Sequence, residues 1–198
     1  MELQVYFDYL CPYVHQAALL LRRVRAAEED VRVEWRYFSL RQVNRADGDP
    51  DVWEAPDTER ISGRDAFRAA EAAHRQGRFE PVHDGLLAAR HEERRNIDDA
   101  AVLEDVAGRA GLDVRRWHED MADPHILDSL ERDHTEAVQR YGAFGTPTFV
   151  VPGGGAAYVR VRPAPEEEEA QRFFRDLLAA IQDRPYLLEV KRPVPPKS

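Results

Sequence analysis

The first 38 residues constrain the fold of this chain more than any other segment. Alternating apolar residues over 3–7 predict a strand, and strict alternation at the start of 31–38 predicts a second one. The segment between them, 12–27, predicts a helix that begins at Pro12, since proline favours the first helical position. A strand–helix–strand unit needs a crossover connection, so we expect the two strands to lie parallel in one sheet.

The rest of the chain predicts a helical block followed by a return to the sheet. A polar stretch at 41–56 is typical of a long loop. With Asp98 and Asp113 as caps, four helices are predicted at 64–75, 81–95, 99–110 and 114–122. The final part predicts a helix at 126–141, a strand at 148–151, its hairpin partner at 158–161 and a helix at 166–182.

This order of elements predicts an α/β domain interrupted by an all-α insertion. The two halves of the α/β domain are expected at 1–62 and 124–183, and the insertion at 63–123. The prolines of 184–198 are incompatible with a regular helix and predict a Pro-rich C-terminal tail. With 198 residues, the chain has room for one sizeable core with an insertion, but not for two large domains.

The composition excludes several classes of partner. The chain has 28 Lys and Arg against 37 Asp and Glu, which gives a net charge of −9. Nucleic-acid binding needs clustered basic residues, so no nucleic-acid partner is expected. No apolar run approaches the ~20 residues of a membrane span, and the N-terminus lacks the basic region and cleavage site of a signal peptide. We therefore expect a cytoplasmic protein without a membrane partner.

Cys11 is the only cysteine, which excludes an internal disulfide and a cysteine-rich metal site. No two of the seven histidines are spaced to share one helical turn, so no metal site is expected. Cys11 lies directly before the first predicted helix, whose N-terminal N–H groups favour a thiolate. His15 follows on the same helix face, and a protonated His15 would favour the thiolate further. The alternatives are a small buried cysteine and a histidine that only packs.

Three stretches of the chain resemble the DsbA-like branch of the thioredoxin superfamily. They are Phe-Asp-Tyr-Leu-Cys-Pro-Tyr at 7–13, Asn-Ile-Asp at 96–98 with Ala-Gly-Leu-Asp at 110–113, and 141–151, which contains Gly-Thr-Pro-Thr-Phe. More closely, the chain resembles the cytoplasmic subgroup of FrnE-type dithiol oxidoreductases, 2-hydroxychromene-2-carboxylate isomerases and kappa-class glutathione transferases. The resemblance implies a thioredoxin fold interrupted by an all-α helical insertion, with Cys-Pro-Tyr-Val in place of a Cys-x-x-Cys motif.

The resemblance also implies an active site at Cys11 and Pro147. Pro147 would be a cis-proline that lies against the cysteine, whereas the residues alone also allow an ordinary trans proline in a loop. Thr146 would present its backbone N–H and C=O to a thiol substrate. Further substrate contacts are implied at three positions, Pro12, Tyr13 and Val14. The residues also allow a Tyr13 that only covers the sheet.

The chain departs from both kinds of relative. Val14 stands where the dithiol members carry a second cysteine, and the isomerases and transferases usually carry serine at the position of Cys11. Three functions therefore remain compatible with this pattern. The first is a monothiol thiol–disulfide oxidoreductase, whose mixed disulfide at Cys11 is released by an external thiol such as glutathione or another low-molecular-weight thiol. The second is a glutathione-dependent isomerase or transferase. The third is a non-catalytic thioredoxin-fold binding protein, whose tail from Pro193 engages a partner or a second subunit.

The first of these functions ranks highest on the motif. No bound cofactor is expected for it, and its partners would be thiols or disulfides. The sequence leaves a homodimer open, and it leaves open whether the protein is catalytic.

Overall fold

A computed structural model describes residues 2–28, 30–153 and 155–192 of the protein. Its strands are β1 Glu2–Phe7, β2 Arg32–Tyr37, β3 Thr148–Val151 and β4 Gly155–Tyr158. Within this part of the chain they form one mixed sheet in the order β2-β1-β3-β4. β1 and β2 are parallel, while β1–β3 and β3–β4 are antiparallel. The parallel pair confirms the crossover that the opening of the chain predicts.

Eight helices accompany the sheet in the described residues. They are α1 Pro12–Ala27, α2 Leu40–Val43, α3 Arg64–Arg75, α4 Phe79–His91, α5 Ala100–Arg109, α6 Val114–Met121, α7 Ile126–Tyr141 and α8 Glu167–Asp183. The helix predicted at 126–141 and the strand predicted at 148–151 have the observed bounds. α4 differs from its predicted bounds, 81–95, because Pro81 lies in its first turn, where a missing N–H costs nothing. The predicted fold class is confirmed: helices interrupt a single α/β sheet between β2 and β3.

The side chains of β1 alternate between the two faces of the sheet. Leu3 and Val5 are fully buried against α1 and α8, in a cluster that includes Phe174. Tyr6 is fully buried on the opposite face, where its cluster includes Ala137 of α7. Because both faces of β1 are covered, the strand that leads into α1 is held at the centre of the molecule.

A third apolar cluster joins the end of β1 to the helical block. Phe7, Tyr9 and Val14 are buried together with residues of α3 to α6, among them Phe67 and Trp117. Phe7 also packs edge-on against Tyr9, with ring centroids 5.0 Å apart. This packing fixes the turn between β1 and α1, and therefore the start of α1, against the helical block.

Two predictions about helix starts are wrong. The stretch predicted as a loop at 41–56 begins within α2, which Ser39 caps through its side-chain oxygen. α5 is capped by Asp99 rather than by Asp98. The carboxylate of Asp98 instead accepts a hydrogen bond from the Gly63 N–H at 2.6 Å, so it ties the start of α3 to the loop before α5.

The hairpin partner of β3 is also displaced from its predicted position, 158–161. Gly155, with φ of 97°, already pairs with Val151, so the ladder forms closer to the turn than predicted. Beyond the ladder, the Val159 N–H donates a hydrogen bond to the Pro147 carbonyl at 3.1 Å. The segment after β4 is therefore held beside the loop that contains Pro147.

The predicted tail at 184–198 is described only in part. After α8, residues 184–192 contain a turn but no helix or strand, and they expose Leu188 and Val190 to solvent. The remaining residues, 193–198, lie outside the described residues, and with them the predicted partner contact from Pro193.

Candidate active site

Cys11 lies at the junction of β1 and α1. It is the N-cap residue of α1, with φ of −86° and ψ of 116°, and Pro12 occupies the first helical position. The Cys11 N–H donates to the Asp8 carbonyl at 3.0 Å, and the Cys11 carbonyl accepts from the Val14 N–H at 3.1 Å. The sulfur therefore stands at a helix N-terminus, where N–H groups without helical partners stabilise an anion.

The Cys11 thiol meets the loop that precedes β3. Its Sγ donates a hydrogen bond to the Thr146 carbonyl at 3.2 Å, and the Thr146–Pro147 peptide bond is cis. Thr146 is 1% exposed, and its Oγ1 has no hydrogen-bond partner among the described residues. Cys11 itself is only 6% exposed. The structure thus brings together the residues that the sequence places at the centre of the site.

Two residues that the sequence analysis missed hold the turn between β1 and α1. Asp8 is buried, and its carboxylate accepts the N–H groups of Leu10 at 2.8 Å and Leu40 at 2.7 Å. Burial raises the pKa of Asp8 to about 6, although both hydrogen bonds act in the opposite direction. His91 of α4 donates from Nε2 to the Tyr9 carbonyl at 2.9 Å. An Asp that follows a strand is a known turn signal, whereas nothing local marks His91.

His15 faces α4. Its Nε2 lies 3.1 Å from the carboxylate of Glu92, and its ring stacks on that of His91 at a centroid distance of 5.7 Å. Burial is the main reason that the pKa of His15 is lowered, against the attraction of Glu92. Burial therefore disfavours the protonated imidazole on which the predicted support of the Cys11 thiolate depends, and a tuning role of His15 stays a prediction.

Three aromatic side chains, Tyr13, Phe144 and Tyr158, are grouped around the Tyr158 ring and the Arg160 guanidinium and are called here the aromatic rim. The Phe144 and Tyr158 ring centroids lie 5.0 Å apart. The guanidinium of Arg160 lies 4.9 Å from the Tyr13 centroid and 5.7 Å from that of Tyr158. Burial raises the pKa of Tyr158, the charge of Arg160 lowers it, and the charge of Cys11 raises it. Tyr158 is therefore an electrostatic neighbour of the sulfur, and Arg160 is a neighbour of Tyr158.

The three predicted substrate contacts have different surroundings. Pro12 is exposed, and Tyr13 is partly buried against the helical-block cluster while it contacts Arg160. Val14 is fully buried in that cluster, so it offers no surface to a substrate, which corrects its prediction as a contact residue. The sequence analysis missed Arg160 because it placed this residue inside the second strand of the hairpin.

The described residues contain no group of three or more His, Cys, Asp or Glu side chains placed to hold a metal ion. None of the helices in the described part of the chain combines the length and the apolar character needed to cross a membrane.

A family model described as a DSBA-like thioredoxin domain matches residues 2–175 of the chain. The chain belongs to this family. The membership confirms the resemblance to the DsbA-like branch, and it confirms the predicted thioredoxin fold with a helical insertion. The DSBA-like domain accounts for β1 to β4, all the helices up to α7 and the first part of α8.

Similar curated proteins are of two kinds. An uncharacterized protein from Mycobacterium tuberculosis is 25% identical over 195 residues, which cover 96% of this chain and 81% of that protein. The Na⁺/H⁺ antiporter NhaA 3 of Salinispora tropica is 34% identical over 148 residues, which cover 75% of this chain. The matched part is 19% of the antiporter, so the DSBA-like chain spans about a fifth of that relative's length.

Solved structures share the fold of the chain at low sequence identity. A probable DsbA oxidoreductase from Streptomyces coelicolor has a TM-score of 0.66 at 21% identity, covering 96% of this chain and 94% of its own. The cytosolic disulfide reductase DsbM from Pseudomonas aeruginosa, solved with GSH, has a TM-score of 0.63 at 19% identity, covering 90% of this chain and 99% of its own. The chain therefore has the fold of DsbA-like thiol oxidoreductases.

Proposed function

We propose that this DSBA-like protein is a cytoplasmic thiol–disulfide oxidoreductase that acts through Cys11 alone. The contact between the Cys11 sulfur and the Thr146 carbonyl carries the proposal, since it places the only thiol of the chain at a helix N-terminus beside a backbone strip. That strip can pair with an extended substrate. Thr146 Oγ1, buried and without a partner among the described residues, adds an unused polar atom beside the sulfur.

The reaction would proceed in two exchanges. In the first, the Cys11 thiolate attacks one sulfur of a substrate disulfide, so that a mixed disulfide forms, the substrate S–S bond breaks, and the released thiolate takes up a proton. In the second, an external thiolate attacks the bound half of the substrate and releases Cys11. The bound half leaves as a mixed disulfide with the external thiol, and a second external thiolate then attacks that mixed disulfide, so that one substrate disulfide becomes two thiols and two external thiols become one disulfide. We propose glutathione or another low-molecular-weight thiol as the external reductant.

The test uses intact-mass measurement after incubation with glutathione disulfide. We expect one adduct on the wild-type chain, its removal by excess thiol, and no adduct on Cys11→Ser, which is close to cysteine in shape but has no thiol. Because the chain has one cysteine, the adduct needs no further mapping. A wild-type chain that stays unmodified under conditions in which the unfolded chain reacts would refute the proposal.

A non-catalytic binding domain is the second candidate, because Cys11 is only 6% exposed while Phe144 of the aromatic rim is 67% exposed. A covered thiol together with an exposed aromatic side chain suits a docking surface. The same experiment separates the two functions, since a binding domain would show no faster modification than its unfolded form.

A further inference from the structure

Arg160 lies in the aromatic rim without a carboxylate partner among the described residues. Its guanidinium lies over the rings of Tyr13 and Tyr158, and it forms no ion pair with any described residue. Other arginines of the chain, such as Arg36 and Arg75, each contact two or more carboxylates. Other exposed arginines, such as Arg32 and Arg41, also have no ion pair among the described residues, but Arg160 differs from them in lying over the rings of both Tyr13 and Tyr158.

The backbone fixes Arg160 relative to the sulfur. Tyr158 pairs with Thr148 across the β3–β4 ladder, and the Val159 N–H donates to the Pro147 carbonyl at 3.1 Å. Gly145 leaves room for the Tyr158 ring, because a Cβ there would lie 3.2 Å from its Cε2 atom. The loop that contacts Cys11 therefore also sets the position of Arg160.

The surroundings of Arg160 define what it can bind. A guanidinium presents several N–H donors that match the two oxygens of a carboxylate. The aromatic rim beside it offers apolar surface, with Phe144 67% and Tyr158 38% exposed. The net charge of −9 disfavours anions over the molecule as a whole, so a single cation at the entrance gives local selectivity.

We propose that Arg160 binds a carboxylate of the substrate disulfide while the aromatic rim packs against the carbons between that carboxylate and the reacting sulfur. This inference rests on the proposed thiol–disulfide exchange at Cys11. It names the substrate class: disulfides that carry a carboxylate close to the sulfur, whether small acidic disulfides or peptides with an acidic residue beside cysteine.

The experiment compares rates of mixed-disulfide formation at Cys11 for wild type, Arg160→Gln and Arg160→Lys. The small probes are glutathione disulfide, which carries carboxylates, hydroxyethyl disulfide, which is neutral, and cystamine, which is cationic. Two peptide disulfides that differ only in a Glu or a Gln beside cysteine test the second source of carboxylate. Circular dichroism checks that both variants fold.

We expect Arg160→Gln to slow the reaction with a carboxylate-bearing disulfide by ~3- to 10-fold. Its rate with hydroxyethyl disulfide should stay within about twofold of the wild-type rate. Arg160→Lys should recover part of the loss, since it restores the charge but not the planar donor pair. Added salt should reduce the wild-type preference. Whether the small or the peptide probe shows the larger effect identifies the source of the carboxylate.

Two outcomes separate failure of this inference from failure of the proposed function. Equal slowing of Arg160→Gln with anionic, neutral and cationic disulfides would show that Arg160 only holds the aromatic rim in place, and would overturn the inference. No slowing with any carboxylate-bearing probe would overturn it as well. A wild-type chain that reacts with none of the disulfides would instead remove the proposed function itself.

Discussion

Val14 occupies the position, three residues after Cys11, where a second cysteine would close an internal disulfide. It is fully buried in the helical-block cluster, and its N–H donates to the Cys11 carbonyl. Residues three apart at a helix start have Cα atoms close enough for a disulfide. The identity of one buried side chain therefore decides whether the proposed mixed disulfide can be resolved within the chain.

We expect Val14→Cys to release the bound half of a mixed disulfide without an external thiol. The new thiolate would attack Cys11, form an internal disulfide and expel the substrate thiol. The readout is the lifetime of the adduct by intact mass. Loss of buried volume should lower the free energy of unfolding by about 1 kcal/mol.

Val14→Ala serves as the control, because it also shortens the buried side chain but adds no thiol. If the adduct persists equally long in both variants, the sulfur of Cys11 is out of reach of the following helical turn, and Val14 is not what prevents internal resolution.

At the residue scale, the contact between Cys11 and the loop before β3 agrees with the sequence pattern, because each partner lies within one stretch of sequence. Cys11 and Thr146-Pro147 could be predicted because each belongs to a contiguous segment with a recognisable pattern. His15 was placed on the right helix, but its surroundings were not predictable, because Glu92 and His91 come from α4. Only tertiary packing creates that environment.

At the scale of elements, α4 and α5 approach each other closely at Gly85 of α4. A Cβ at this position would lie 2.8 Å from Cγ1 of Val106, a buried and conformationally stiff side chain of α5. Gly108, also in α5, would place a Cβ in open space. An added methyl group would therefore clash with the neighbouring helix at Gly85 but would meet no other residue at Gly108.

We expect Gly85→Ala to lower the free energy of unfolding by about 1 to 2 kcal/mol, because overpacking outweighs the gain in helix propensity. Gly108→Ala should raise it by about 0.5 to 1 kcal/mol through propensity alone. Urea unfolding measures both. Stabilisation by both substitutions would show that α4 and α5 have more freedom to separate than the structure indicates.

The elements that the sequence could not define are those whose ends depend on distant partners. The chain before α3 is ordered by Arg64, a buried side chain that donates to the carbonyls of Ala55, Pro56 and Glu59. Composition describes such a segment only as a polar loop. The position of β4 likewise depends on pairing with β3, whereas α7, with its own periodic pattern and the glycine stop Gly142, was predictable in full.

At the scale of the whole molecule, buried ionisable groups act in opposite directions on acid stability. Burial lowers the pKa of His83 to about 3 and that of His134 to about 4. Burial raises the pKa of Asp8 and of Asp133 to about 6. The buried histidines stabilise the folded state above the pKa that they have in the unfolded chain, and this contribution is lost as the pH falls. The buried aspartates stabilise the folded state at low pH, and their contribution is lost as the pH rises through about 6.

The contribution of His83 can be isolated by substitution. Between pH about 6.5 and about 3, the unfolded chain binds a proton at this histidine that folded His83 does not bind. The free energy of unfolding therefore decreases as the pH is lowered through this range. We expect His83→Phe to reduce the stability loss between pH about 7 and about 5 by about 2 kcal/mol. The lost hydrogen bond to Tyr9 lowers stability equally at both pH values.

His125→Gln is the matched control, because the His125 side chain is 79% exposed. Urea unfolding across the pH range compares the slope of the free energy of unfolding in His83→Phe with the slopes in His125→Gln and in the wild type. If the free energy of unfolding of His83→Phe depends on pH as steeply as that of the wild type, the interior around Tyr9 admits water or a proton in the folded state.

The edge position of β4 has a consequence for how proteins of this design diverge. Tyr158 and Arg160 come from the outermost strand and the residues just after it, where neighbouring side chains such as Ala156 are exposed. Mutations there remove little buried apolar contact, so they carry a small folding penalty. Cys11, by contrast, is surrounded by the core. Under the proposed function, substitutions at this edge can alter substrate preference while the core around Cys11 stays intact, so that a new specificity needs no compensating change in the interior.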